Sequence, residues 1–319
     1  MSAAFFKTYI VDDKECYMYT YDLEDLSLTA VPEFPFPESL VSMAYLDRER
    51  YEPVLAKLSA ALSELSKYHT QDIADQISEL LFELGQVHVY FELLRVDWQN
   101  CLEQSAQDGY QNLLELFPED ECIGLAEGIT ERQQKIQRLF ASVLDMDSPS
   151  KKGPLVIYVT ETTNPINDYP FHALAFDFEQ TESGRYVEVL HPNNIFDLME
   201  YHLRECLKRK VRMRVCKNCG RYFAVIKNSK AEYCNHPFDA KGRTCKQIAS
   251  ILQWNRNRAD DTIFKEYRRE YKKRFARMKA GSMEEEQFYL WSKLTRDKKR
   301  ECEEGIITLE EFETWLRQS

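Results

Sequence analysis

Hydrophobic and polar residues alternate at the start of the chain, where FFKTYIV and CYMYTYDL place aromatic or β-branched residues at every second position. Period two marks a half-buried strand, and the Asp12-Asp13-Lys14 turn between the runs predicts a β-hairpin. The proline-rich VPEFPFPES, with Pro32, Pro35 and Pro37, reads as an extended connector. From about residue 38 to 145 the period becomes helical. Leu55, Leu58, Ala61, Leu62 and Leu65 recur at three- and four-residue steps, as do Ile73, Ile77, Leu80, Leu81 and Leu84. The stripe continues through Leu93 and Leu94 towards Trp98, and Leu113, Leu114 and Leu116 precede a break at Pro118-Glu119-Asp120. Ile136, Leu139, Phe140 and Val143 mark another helix. Such stripes are first of all core faces.

After the loop SPSKKG, three runs read as strands: LVIYVTET (155–162), FHALAFDFEQ (171–180) and RYVEVLHP (185–192). The short Thr181-Glu182-Ser183-Gly184 turn joins the last two as an antiparallel hairpin. A helix from about Phe196 to Lys210 turns Leu198, Tyr201, Leu203 and Leu207 inward and ends on Lys208, Arg209 and Lys210, where cations suit the helix dipole. The strand-like VRMRV follows, and beyond Cys245 a helix carries Ile248, Ile251 and Leu252, then Trp254, Arg256 and Arg258. The next helix is capped by Asp260 and Asp261, with an apolar stripe of Phe264, Tyr267, Tyr271, Phe275 and Met278. Gly281 ends it. Ser282 with Glu285, and Thr308 with Glu311, read as capping boxes for two last helices, one carrying Phe288, Trp291 and Leu294, the other Phe312, Trp315 and Leu316.

Composition adds scale. At 319 residues and 44% hydrophobic, the chain can build a real core and about two domains. The N-terminus turns acidic too early for a signal peptide, and no apolar run approaches the roughly 18 residues that span a bilayer. A soluble cytoplasmic protein, with no membrane partner, is expected. Net charge changes the picture more. Residues 1–200 hold 13 Lys+Arg against 36 Asp+Glu, a net of −23, whereas residues 201–279 hold 23 against 7, a net of +16. Residues 280–319 return to −4. So sharp a split marks a module boundary and points to an anionic partner for the basic part.

The basic part also holds the strongest chemical motif. Five of the nine cysteines, Cys16, Cys101, Cys122, Cys206 and Cys302, stand singly in apolar or helical contexts, as inert thiols do in a reducing compartment. The other four are Cys216-x-x-Cys219-Gly220, Tyr233-Cys234 and Thr244-Cys245. Two thiolates two residues apart on a tight turn clamp one side of a tetrahedral Zn²⁺, and a second pair closes the other. Gly220 suits a knuckle turn that needs positive φ, and Phe223 is placed to shield the metal. His236 is an alternative ligand in the second half, where ten residues separate Cys234 from Cys245. The competing reading of Cys216 and Cys219 as a redox pair lacks the βαβ setting such dithiols use. Four thiolates leave no open position, so the site is expected to be structural. Arg214, Lys217 and Arg221 can neutralise the net charge of a four-thiolate zinc centre, but not an excess of sixteen.

Two function classes follow. In the first, the zinc segment and its basic helices bind DNA or RNA, with Arg221, Lys227, Lys230, Arg256, Arg258, Lys265, Arg268, Arg269, Lys272 and Lys273 meeting phosphates. Trp254, Tyr222 and Tyr233 are candidates for stacking on bases. In the second, the acidic half docks on the basic half, within one chain or between two, and the protein is an interaction module. No enzyme is expected, because no Gly-rich phosphate loop, HExxH helix, nucleophile elbow or EF-hand loop occurs. His69 and His88 read as structural, and His172 and His191 lack an acid and nucleophile to work with.

The C-terminal third resembles a bacterial family catalogued as domain of unknown function family 6076. The shared features are Cys216-x-x-Cys219-Gly220-Arg221-Tyr222-Phe223, Tyr233-Cys234, Thr244-Cys245-Lys246, Tyr267, Tyr271, Arg277, and the late run from Gly305 to Leu316. A more distant likeness is to the CGNR-type zinc fingers, a family described as bacterial transcription regulators with an acidic helical N-terminal domain. Arg214-Val215-Cys216, the Cys-x-x-Cys and Phe223 match them, but Cys245 is followed by Lys246, Gln247 and Ile248 rather than Gly-Asn-Arg. The resemblance implies a bacterial cytosolic zinc protein and no established reaction. The fold expected is α+β: a mostly helical acidic domain with a small antiparallel sheet (1–210), a zinc ribbon-like segment (211–258) and a C-terminal helical unit (259–319).

Overall fold

In the computed structural model the first two strands, β1 (Phe5–Val11) and β2 (Lys14–Thr20), pair antiparallel across Asp12 and Asp13. Both turn residues are left-handed, with φ of 50° and 60°, as the tightest hairpin turn requires. The structure describes residues 4–21, 29–105, 117, 124–148, 152–161, 169–181, 183–225, 230–239, 241–249, 251 and 262–319. The expectations placed on Leu113, Leu114, Leu116, Pro118, Glu119, Asp120, Cys122, Leu252, Asp260 and Asp261 lie outside them. The chain forms two compact units, Met1–Glu232 and Tyr233–Ser319.

In the first unit the hairpin becomes the centre of a five-stranded antiparallel sheet. Strand β3 (Glu33–Pro35), from the proline-rich connector, pairs with β2, and β5 (Tyr186–Leu190) pairs with β1 through Thr8 and Leu190. Strand β4 (Phe176–Gln180) is outermost, giving the order β3-β2-β1-β5-β4. The early and late hairpins therefore share one sheet. Phe6, Thr8 and Ile10 oppose Tyr19, Tyr17 and Glu15, and all six face the core.

Helices α1 (Glu38–Ala44), α2 (Glu52–Tyr68), α3 (Gln71–Val87), α4 (Glu92–Ser105) and α5 (Leu125–Leu139) supply the rest of that core. The helical stripes read from the sequence are its lining: Leu58, Leu62, Leu65, Ile77, Leu81 and Leu84 have no exposed surface. The run 155–162 departs from expectation. It is not a strand but helix α6 (Pro154–Glu161), with Ile157 N–H donating to the Gly153 carbonyl at 3.0 Å. Proline costs nothing in a first helical turn, and a short run that is apolar on every side has no period to separate helix from strand. Helix α7 (Ile195–Lys208) starts at Asn194, whose side chain accepts from Phe196 and Asp197 N–H at 2.9 and 3.1 Å. Such a cap stabilises by about 1 kcal/mol.

At the junction of sheet and helices lies a fully buried polar network. Glu15 Oε2 accepts from the Tyr17 hydroxyl (3.1 Å) and Ser39 N–H (3.2 Å). Tyr17 and Tyr90 hydroxyls lie 3.1 Å from Nε2 and Nδ1 of His202, and both meet the Ser39 hydroxyl. His88 bonds Ser42 Oγ and the Ser39 carbonyl, so its structural role stands on visible partners. Glu15 Oε1 is buried with no partner among the described residues. Burial pushes the Glu15 carboxyl up to about 8 and pulls both histidines down to about 4.

The second unit ends in three helices: α8 (Thr262–Lys279), α9 (Glu285–Glu303) and α10 (Leu309–Gln318). Phe288, Trp291, Cys302, Phe312 and Leu316 form their core, and Tyr267, Tyr271 and Met278 pack on it. Phe275 and Leu294, expected inside, are 40% and 49% exposed. The capping box at Thr308 and Glu311 is present. The one expected at Ser282 and Glu285 is not: α9 starts two residues later, after Glu284, with no side-chain cap. Ser282 closes α8 instead, donating from N–H (2.9 Å) and hydroxyl (3.0 Å) to the Arg277 carbonyl, while Gly281 (φ 73°) makes the left-handed turn.

Candidate metal centre

The first cysteine pair sits at the tip of a small hairpin. Strands β6 (Met213–Val215) and β7 (Tyr222–Ala224) pair Val215 with Tyr222, so the six residues between them must turn back sharply. Gly220 makes that turn, with φ of 73° and its N–H donating to the Cys216 carbonyl at 3.0 Å, while Cys216 N–H donates to the Arg221 carbonyl at 2.9 Å. The knuckle expected from Cys-x-x-Cys-Gly is thus built from backbone hydrogen bonds.

The ten residues between Cys234 and Cys245 close on themselves. Pro237 and Thr244 form a bridge, Phe238 N–H donates to the Arg243 carbonyl at 2.8 Å, and the Asp239 carboxylate accepts from Lys241 N–H, Arg243 N–H and Arg243 Nε. Those bonds hold the Asp239 carboxyl below its usual range, the Arg243 N–H first among them. Cys245 N–H then reaches the His236 carbonyl (3.1 Å) and Lys246 N–H the Cys234 carbonyl (3.0 Å). Residues 245–249 are helical. Thr244 and Gln247 cap that turn reciprocally, Gln247 N–H to Thr244 Oγ1 at 3.2 Å and Thr244 N–H to Gln247 Oε1 at 2.8 Å. This is the Thr-x-x-Gln capping box, a signal legible in the sequence that the cysteine spacing alone does not carry. It sets Cys245 in a first helical turn.

The result is a cluster: one sulfur from each of Cys216, Cys219, Cys234 and Cys245, all within 4.8 Å of one another. Four sulfurs about 2.3 Å from a central ion stand about 3.8 Å apart at the corners of a tetrahedron, so the donor set fits a metal ion. Cys216, Cys234 and Cys245 are buried and Cys219 is half-buried. All four are free of disulfides. His236 is exposed and stands outside the four.

The cations proposed to neutralise the centre have partners of their own. Arg214 grips Asp147 with two bonds (2.9 and 3.0 Å) and donates to the Ala231 carbonyl, and Lys217 pairs with Glu232 at 2.6 Å. Arg221 lies 5.6 Å from the centre of the Tyr45 ring. Tyr222, a stacking candidate, is held in the first unit instead: its hydroxyl donates to Asp145 (3.2 Å), its N–H to Tyr45 Oη (2.9 Å), and its ring lies 6.2 Å from Phe140. Tyr233 is half-buried.

Of the predicted phosphate-binding residues, Lys227, Arg256 and Arg258, like Trp254, lie outside the described residues. Lys230 is exposed. Arg221 lies beside Tyr45, and the remaining five share helix α8, where Lys265, Arg268, Arg269, Lys272 and Lys273 are all exposed. Arg269 pairs with Glu266, and Lys273 with Glu270 at 3.6 Å. His172 bonds the buried Glu200, which also holds Arg204, and His191 lies 3.9 Å from Glu179. Each of these histidines faces a carboxylate.

Residues 170–318 match the family model described as "Family of unknown function (DUF6076)". The matched stretch takes in all four clustered cysteines and α8. No curated protein and no solved structure matches the chain. Among the described residues no helix is long and apolar enough to cross a membrane.

Proposed function

We propose that this chain is a nucleic-acid-binding protein, without catalytic activity of its own, whose basic segment takes its shape from one structural Zn²⁺ held by Cys216, Cys219, Cys234 and Cys245. The observation that carries it is the exposed cationic face of α8, in a chain whose cysteine sulfurs gather within 4.8 Å. Soft thiolates in a closed set of four select zinc over hard cations, and the bound ion supplies folding energy to a loop-rich segment. Thiols free of disulfides suit a reducing compartment, which supports a cytosolic protein. Cations on one helix face displace counterions from phosphates, so affinity falls steeply with salt.

The test is binding of the full-length protein to mixed RNA and DNA across a salt series, beside the combined variant Lys265→Glu, Arg268→Glu, Lys272→Glu. Tight, salt-sensitive binding that the variant loses supports the proposal. If neither polymer binds at low salt, the reading is wrong, and the acidic half serving as a partner for the basic half becomes the better account.

A further inference from the structure

Helix α8 carries more than charge on its exposed face. Along it, Lys265, Arg268, Lys272, Phe275 and Lys279 succeed one another at steps of three or four residues, so they form one row. At 1.5 Å per residue the row is about 21 Å long. Its four cations make no ion pair among the described residues, in contrast to Arg269 and Lys273 on the neighbouring row. The step from Lys272 to Lys279 leaves a gap of about 10 Å without a charge. Phe275 fills it.

Phe275 is 40% exposed, an unusual position for a phenylalanine amid lysines. Its ring runs nearly parallel to Tyr271 (6.2 Å, 8°) and rests against Phe288 (5.7 Å, 58°), so its orientation is fixed from below. The Lys279 ammonium lies 5.7 Å from the ring centre. The row therefore reads cation, cation, cation, ring, cation.

An undistorted duplex offers that ring no base face. Its outer surface is phosphate and sugar, and its bases show only their edges in the grooves, their π-faces being stacked on each other. A single strand offers both features in alternation: phosphates that follow a cationic track, and unstacked bases whose faces pack on aromatic side chains. Resting on the nucleic-acid reading above, we infer that α8 binds single-stranded nucleic acid, with Phe275 as a stacking platform for one base and Lys272 and Lys279 on the phosphates to either side. The ammonium near the ring would move onto the phosphate of the stacked nucleotide.

Fluorescence anisotropy of the full-length protein with labelled single-stranded RNA and DNA oligomers, and with the duplex of the same sequence, tests this. Single strands should bind tighter than duplex, and Phe275→Ala should weaken single-strand binding about tenfold while leaving duplex binding unchanged. Phe275→Trp should keep full affinity, and its emission should be quenched on binding; Phe275→Leu should behave like the alanine variant. Equal or tighter binding of duplex, or unchanged single-strand affinity in both the alanine and leucine variants, would overturn the inference while sparing nucleic-acid binding itself. Absence of binding to every oligomer would remove both.

Discussion

Glu15 gives the sharpest handle on the first unit. Its carboxyl is fully buried, and desolvation raises it from 4.5 to about 8, against the opposing pull of hydrogen bonds from Ser39 and Tyr17. In the unfolded chain the same group ionises near 4.5. A group raised on folding contributes stability that is complete below the unfolded value and lost as pH rises through the folded one. Each pH unit between the two values therefore costs about 1.4 kcal/mol. From pH 5 to pH 8 the loss comes to about 3 kcal/mol, a large part of what holds a domain together. His88 and His202 work the other way, their lowered values costing stability as pH falls below about 6.5. Tyr17, Tyr90 and Cys206, which also face the network, are all pushed upward by burial and stay neutral throughout. Comparing Glu15→Gln with the parent cancels those other groups. Urea unfolding followed by circular dichroism at pH 5, 6.5 and 8 should show the variant gaining on the parent by about 3 kcal/mol across the range. Parallel pH curves for the two proteins would refute the reasoning.

Three smaller perturbations follow from local geometry. Gly220→Ala meets no atom within 4 Å but forces an L-residue to φ of 73°; it should weaken metal retention against a chelator, by about 1 kcal/mol. Thr308→Ala removes the hydroxyl that accepts from Glu311 N–H, leaving Thr308 N–H on the Glu311 carboxylate, and should lower the stability of the second unit by about 1 kcal/mol in thermal unfolding. Phe312→Ala empties a fully buried site in that unit's core and should cost about 3–5 kcal/mol, seen as early loss of α8–α10 amide protection in hydrogen exchange.

The knuckle was legible because Cys-x-x-Cys-Gly is a local motif whose glycine must take positive φ, and the helical stripes were legible because a core face repeats. What escaped was set by distance along the chain. Thr8 and Leu190 pair across the unit, and nothing near either announces one sheet. Glu15 alternates with Tyr17 and Tyr19, so period two already places it on the aromatic face, but its partner Ser39, and Tyr17's partner His202, come from remote helices. The run after Pro154 reads as a strand because its five consecutive apolar residues satisfy both helix and strand; the proline is the better guide. Phe275 falls on the apolar stripe and reads as core, but α8 meets its neighbours along a narrower face than the stripe.

The central claim is that four sulfurs hold one metal ion. Elemental analysis of the purified protein by mass spectrometry decides it. One zinc per chain, falling to near zero in Cys219→Ser and in Cys245→Ser, is the expected result. A fully folded protein with no bound metal, or full zinc content in either variant, would contradict the account.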